Sequence, residues 1–314
     1  MLIVAALGGN ALLRRGEPLT HAVQQENVRA ACAALAPVAM HHQLVVTHGN
    51  GPQVGLLALH GGADGDFPLD VLVAETEGMI GYLIEQELRN RLPDQAIATL
   101  LTQVVVDPAD PAFERPSKPV GPMYSNAEAE QVRKQHGWTI APDGPGYRRV
   151  VPSPEPRDIL NLETIRLLLE GDVLVVCGGG GGIPLIAETA GTLTGVEAVI
   201  DKDRFAGLLA ERLGADMLLI LTDVEAVFRD WGMPRASPIG RTTAVEMREF
   251  AFASGSMKPK VEAACRFVER AGGIAAIGCL ADAEALVRGE RGTRIEPAQA
   301  QPLPKSPART EPAA

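Results

Sequence analysis

The sequence predicts an α/β protein built around a mainly parallel sheet, and three observations carry that expectation. Short apolar runs near residues 2–7, 44–47, 97–106, 173–177, 217–222 and 274–279 have the character of buried strands. Segments of helical period alternate with them, the rhythm of a sheet covered by helices. Glycines cluster just after three of the runs, where an open α/β sheet places its ligand crevice.

Residues 2–7 read as the first strand and stop at Gly8-Gly9-Asn10. A helix over about 20–40 carries Val28, Cys32, Leu35 and Ala39 on one face. The strand at 44–47 again ends in glycines, at His48-Gly49-Asn50-Gly51. Asp70 is the expected N-cap of a long helix whose apolar face includes Val73, Ile80, Leu83, Ile84 and Leu88. The third strand is expected at 97–106. Residues 107–156 then break the rhythm with 10 of the 24 prolines and with Phe113, Tyr124, Trp138 and Tyr147. An insertion of that length with its own aromatics predicts a small subdomain or lid.

The βα rhythm returns with a helix near 161–169, a strand at 173–177 and five glycines, 178–182. Phe205, Leu208, Leu209 and Leu213 mark the next helix, closed by Gly214 at C′. A strand at 217–222, a helix at 261–271 and a strand at 274–279 follow. Residues 296–314, with five prolines and five alanines, read as a disordered tail.

Composition narrows the function. The chain has 314 residues, 46% hydrophobic, 22% charged and 4% aromatic, and a formal net charge of −10. That balance disfavours nucleic acid as a partner, because phosphate-backbone binding draws on a surplus of Lys and Arg. Cys32, Cys177, Cys265 and Cys279 form no CxxC pair and read as reduced, buried thiols of a cytosolic protein. The histidines show no HExxH or HxH spacing, so no protein-held metal is expected. No apolar run has the length or flanks of a membrane span or signal peptide, which predicts a soluble, cytoplasmic protein.

Three glycine turns, at Gly8, Gly49 and Gly178, invite a phosphate, since glycine lets successive N–H groups converge on an anion. Familiar phosphate motifs do not account for them. Gly49, Gly51 and Gly55 give GxGxxxG, one residue off the dinucleotide fingerprint. No glycine run leads into Lys-Ser/Thr, and the HRD and DFG elements of protein kinases are missing. Lysines complete the pattern. Lys202 precedes a helix expected near Arg204 and would add its charge to the helix N-terminus, with Asp203 to hold it. Lys258-Pro259-Lys260 precedes the helix at 261–271. The proline predicts an extended Lys258, exposed to solvent, and leaves Lys260 near the first turn as a second phosphate ligand. Lys118, among Pro116, Pro119 and Pro122, is either a surface lysine or one carried over an active site; spacing does not decide.

At these residues the sequence resembles the carbamate kinase branch of the amino acid kinase family. The matching motifs run in order: Ala6-Leu7-Gly8-Gly9-Asn10-Ala11-Leu12, His48-Gly49-Asn50-Gly51-Pro52-Gln53-Val54-Gly55, Leu101-Thr102-Gln103-Val104-Val105-Val106-Asp107-Pro108 and Lys118-Pro119-Val120-Gly121-Pro122. Arg149-Val150-Val151-Pro152-Ser153-Pro154 and the segments 179–184, 196–203 and 255–263 complete the set, over roughly residues 1–295. The resemblance implies a three-layer αβα sandwich with a mainly parallel central sheet and a small protruding subdomain. It implies an acceptor half over about 1–170, including the 107–156 lid, and a nucleotide half over about 171–295. It also implies reversible phosphoryl transfer, carbamoyl phosphate plus ADP giving ATP plus carbamate, with Mg²⁺ on the nucleotide phosphates and a homodimeric assembly.

Carried over residue by residue, the resemblance puts Lys118, Lys202 and Lys260 on the transferring group and Asp203 between the lysines. Gly8, Gly9, Asn10, Gly49, Asn50, Gly51, Gly179 and Gly180 would face the carbamoyl phosphate. Thr222, Asp223, Met257 and Lys260 would lie near the nucleotide. The family's glycine run is covered by Gly179 to Gly182, so Gly178 stands as an extra glycine, and the 187–195 segment is slightly long. A kinase of another small acid, or a silent nucleotide-binding sensor, are the alternative readings.

Overall fold

A computed structural model describes residues 1–13, 16–60, 67–188, 191–250, 252 and 257–298, with the side chains of Asn10, Ala11 and His60 left out. The expected tail beyond 298, and Gly255 and Ser256 of the last motif, lie outside the described residues.

The core is an eight-stranded sheet in the order Arg241–Thr243, Thr293–Glu296, Ile274–Cys279, Met217–Thr222, Leu2–Leu7, Gln43–His48, Leu174–Val176, Ile97–Thr99. The six strands from Ile274–Cys279 to Ile97–Thr99 are parallel; Thr293–Glu296 pairs antiparallel with Ile274–Cys279. The mainly parallel α/β architecture expected from the sequence is therefore the one observed.

Leu2–Leu7 shows why these runs are mostly apolar. Side chains of a strand alternate between faces. Ile3, Ala5 and Leu7 enter one apolar cluster, beside Val28, Cys32 and Leu35 of the helix His21–Ala39 and Ile80, Ile84 and Leu88 of the helix Leu69–Arg91. Val4 and Ala6 enter the opposite cluster, beside Phe205 and Leu209 of the helix Lys202–Leu213 and Val261, Cys265 and Phe267 of the helix Met257–Ala271. A strand covered on both sides favours apolar residues along its whole length, and the buried polar ones of Gln43–His48 and Met217–Thr222, namely Thr47, His48 and Thr222, fall at the C-terminal ends, toward the site.

Three smaller sheets accompany this body among the described residues, the least of them the pair Phe228–Arg229 and Ser237–Pro238. Leu193–Gly195, Ile183–Ala187, Gln103–Val106 and Pro156–Ile159 form a mixed four-stranded sheet. Within the proline-dense insertion, Lys118–Tyr124, Gly146–Val151 and Ile140–Asp143 form a three-stranded antiparallel sheet. The helix Asn126–His136, opened by a Ser125–Glu128 capping box, packs on it around Tyr124, Ala129 and Ile140. We call this unit the lid.

Four local expectations are corrected. The N-cap of the long helix is Pro68, and Asp70 sits inside its first turn. The run 97–106 splits into Ile97–Thr99 and Gln103–Val106, which belong to different sheets. The last long helix starts at Met257, so Lys258 is helical rather than extended: Pro259 lies in the first turn, where a missing N–H costs no helical bond. Lys258 is exposed, as expected. All four cysteines are free; Cys32, Cys177 and Cys265 are buried, but Cys279 only partly.

Candidate active site

The site forms where the C-terminal ends of Leu2–Leu7, Gln43–His48, Leu174–Val176 and Met217–Thr222 meet the N-termini of two helices. Asp201 caps the first of these, its Oδ1 accepting from the backbone N–H of Asp203 at 3.0 Å and of Arg204 at 3.2 Å. Lys202 and Asp203 therefore occupy the first helical positions. The second helix, Met257–Ala271, delivers Lys260 from its own first turn.

Asp203 joins the two lysines. Its Oδ1 accepts from Lys202 Nζ at 2.6 Å and its Oδ2 from Lys260 Nζ at 3.0 Å, all three side chains being buried or nearly so. Burial favours neutral groups, and the pair of charges decides how far each yields. Burial lowers the Lys202 pKa to about 8, with Asp203 opposing and the like charge of Lys260 reinforcing the drop. Burial acts on Lys260 in the same direction, but Asp203 outweighs it and holds that pKa above the ordinary lysine value. Asp203 is kept below the usual carboxylate range because Lys202 and Lys260 outweigh its own desolvation. The third lysine comes from the lid: Lys118 Nζ donates to Asp201 Oδ2.

The glycines sit around this cluster. Gly8 donates its N–H to the Leu221 carbonyl at 2.9 Å, which ties the first strand's end to Thr222 and Asp223. Gly49 packs so closely that a Cβ would lie 3.2 Å from Gly9 and 3.3 Å from the Lys202 stem. Gly9 and Gly51 face open space, and Asn10 lies with Gly9 in the short helix Gly9–Leu12. Asn50 is buried, its Nδ2 donating to Thr76 Oγ1 at 2.9 Å. Thr222 Oγ1 donates to Asp223 Oδ1 at 3.1 Å, and Asp223 acts electrostatically on Lys260. Met257 is half-buried against the core below the second helix.

The turn 178–182 is a wedge rather than an open cradle. Its backbone takes φ of +62° at Gly178 and +68° at Gly180, a region costly for side chains. A Cβ on Gly178 would fall 1.8 Å from the Phe205 ring, so the extra glycine is demanded by packing. Gly180 lies against the Asn50 side chain. The Gly179 N–H is already engaged, donating to Glu77 Oε1 at 2.8 Å, while Glu77 Oε2 accepts from the Thr102 N–H at 3.1 Å. Burial pushes the Glu77 carboxyl up to about 8 against these hydrogen bonds. Beside the same turn, burial drives His48 down to about 4, which keeps its ring neutral.

Sequence reasoning singled out Lys118, Lys202, Asp203 and Lys260, and the fold brings all four together around Asp201 and Asp203. It missed Asp201 as more than a neighbour, and it missed Glu77, Thr76 and Thr102. Asp201 was visible as the acid before Lys202 and a helix; Glu77 carried no local signal, because it looks like one more polar residue of an amphipathic helix.

Two lysines in the first turns of helices and a third from a lid strand, converging over a parallel sheet with glycine corners, define an enzyme that handles phosphoryl groups. Known proteins agree: the model of the amino acid kinase family matches residues 1–277. A carbamate kinase of Rhizobium meliloti is 55% identical over 94% of this chain and 93% of its own length. One from Haemophilus influenzae is 54% identical over 94% and 96%. Among solved structures, the carbamate kinase of Giardia lamblia bound to citric acid superposes with a TM-score of 0.89 at 37% identity, covering 95% of this chain and 98% of that one. The same enzyme bound to AMP-PNP gives a TM-score of 0.85 at 36% identity, over 95% of this chain and 98% of that one. The chain belongs to the amino acid kinase family, and its similarity within it is to the carbamate kinases. It is an ATP-dependent phosphotransferase. Among the described residues, no helix is long and apolar enough to cross a membrane.

Proposed function

We propose that the chain catalyses reversible phosphoryl transfer between carbamoyl phosphate and ADP, yielding ATP and carbamate, which ammonia and bicarbonate form with loss of water. The observation that carries this reading is the lysine cluster, in which Lys202, Lys260 and Lys118 converge on two adjacent acids from three separate elements. In the direction of ATP synthesis, a β-phosphate oxygen of ADP attacks phosphorus in line. The P–O bond to the carbamoyl group breaks, and carbamate leaves with the bonding pair. No residue becomes covalently attached.

The protein's part is positioning and charge neutralisation. Lys202 and Lys260 offset charge on the equatorial and bridging oxygens, and Asp203 sets their spacing. Lys118 approaches from the lid. Gly9 and Gly51 leave room for carbamoyl phosphate on the acceptor side, about residues 1–170, while Gly8 and Gly49 let the backbone pack close to Leu221 and to the Lys202 stem. Thr222, Asp223 and Met257 receive the nucleotide on the other, about 171–295. Gly180 acts by packing against Asn50, and Gly179 by its bond to Glu77. Asp201 and Asp203 are both taken up by lysines, which suits a Mg²⁺ held by the nucleotide's own phosphate oxygens. When bound, that ion offsets phosphate charge. A cytoplasmic, homodimeric enzyme follows from the family resemblance.

The test is a coupled assay supplying carbamoyl phosphate and ADP and reading ATP. ATP formation dependent on both is expected. No ATP from carbamoyl phosphate, with ATP-dependent phosphorylation of an acylated amino acid instead, overturns the substrate assignment.

A further inference from the structure

Resting on that reading, we propose that Asp201 is a positioning residue that seats the lid lysine: one carboxylate oxygen organises the helix bearing Lys202 and Asp203, and the other holds Lys118. The two oxygens divide the work without overlap. Oδ1 receives the N–H groups of Asp203 and Arg204, and Oδ2 receives Lys118 Nζ. Asp201 is only 6% exposed, so its position is set by the body of the protein rather than by solvent. Lys118 retains 30% side-chain exposure and stands at the first residue of the lid strand Lys118–Tyr124.

Contacts around Asp201 fix its backbone from two directions. The Val199 N–H donates to the Pro152 carbonyl at 3.0 Å, just past the end of the lid strand Gly146–Val151. On the other side, Gly181 lies so near the Ile200 carbonyl that a Cβ would sit 2.7 Å from its oxygen. The lid strand has a second seat three residues beyond Lys118. Gly121 meets Gly55 of the helix Gly51–His60 backbone to backbone, where a Cβ on Gly55 would fall 2.0 Å from Gly121 Cα. Lys118 is thus located by a carboxylate at one point and a glycine contact at another. Asp201 stays ionised despite its burial because Lys118 and Lys202 hold its pKa far below the usual carboxylate range.

Capping alone does not call for an aspartate, since Asn and Ser cap helices about as well. The charge on Oδ2 is what Lys118 needs. Replacing Asp201 by Asn keeps a capping oxygen and sets an amide against the ammonium; replacing it by Ser keeps the cap and withdraws the partner.

The decisive experiment compares kcat and KM of the wild type, Asp201→Asn, Asp201→Ser, Lys118→Ala and the two double variants. We expect each Asp201 variant to lower kcat by about 10–10²-fold and the double variants to be no slower than Lys118→Ala alone, because the two residues act as one unit. A double variant slowed by the product of the single effects, or an Asp201→Asn enzyme within twofold of wild type, overturns the proposal. A readout independent of turnover is amide hydrogen exchange. Faster exchange in 118–124 with unchanged protection of 202–213 is expected for Asp201→Asn. Loosening of 202–213 with an unchanged lid would reduce Asp201 to a cap. Failure of the wild type to make ATP from carbamoyl phosphate bears on the substrate assignment alone, since the exchange pattern still judges Asp201.

Discussion

The lysines of the core and the lysine of the lid are held in contrasting ways. Lys202 and Lys260 keep 12% and 8% side-chain exposure, share one carboxylate, and spring from helices packed through the largest apolar cluster. Lys118 keeps 30%, has Asp201 as its ion-pair partner, and belongs to a unit whose own core is centred on Tyr124, Ala129 and Ile140. The core pair is preorganised, and the cost shows in the lowered pKa of Lys202. The lid lysine is organised by docking, through one ion pair and one glycine contact. A site that must admit an anion and then surround it has reason to keep two charges fixed and bring the third.

Substitutions at the two kinds of lysine should differ in the size of their effects. Lys202→Ala should lose the most, about 10²–10³ in kcat, since a preorganised charge is removed and Asp203 is left with one partner. Lys118→Ala should cost less, at the lower end of that range. Steady-state kinetics on both checks the order, and a larger loss at Lys118 would mean that docking sets the charge as firmly as the core does.

Next in size is Gly55→Val. Its side chain meets Gly121 backbone, so the lid strand must move, and we expect kcat to fall roughly tenfold, as loss of positioning does. Thermal unfolding followed alongside should show a much smaller change than the kinetics.

Smallest is the pH effect. Lys202 is charged below about 8 and neutral above it, so kcat/KM should decline as pH rises through that value. Lys202→Arg, which stays charged, should lose that limb of the profile even where its absolute rate is lower. A wild-type kcat/KM profile flat from pH 7 to 10 would show that Lys202 keeps its charge in the free enzyme and would overturn this prediction.

The legible parts of the site were those written in consecutive residues. Gly8-Gly9, Gly49-Asn50-Gly51 and Asp201-Lys202-Asp203 combine a strand end, a turn and a helix start within a few positions, so local chemistry names them. The lid was legible as a break in rhythm, through its prolines, but its sheet was not, because Lys118–Tyr124 pairs with Gly146–Val151 across the intervening helix. The split of the run 97–106 was hidden for a similar reason. At the turn the Thr102 N–H donates to Glu77 and the Thr102 Oγ1 accepts from the Gly178 N–H, and both partners are remote in sequence. Pro259 misled in the other direction: a residue before proline avoids the helix, yet Lys258 is held helical by a helix that begins earlier.

By itself the sequence determined the alternation of buried strands and helices, the glycine corners, and the presence of three lysines with an acid beside one of them. Apolar runs and helix caps are local physics, and a chain carries them wherever it goes. The tertiary structure decided how the distant lysines are held: Asp203, already beside Lys202, takes Lys260, and Asp201 takes Lys118. Those pairings join residues 57 and 83 positions apart, and only the closing of the sheet and the seating of the lid bring their charges within reach.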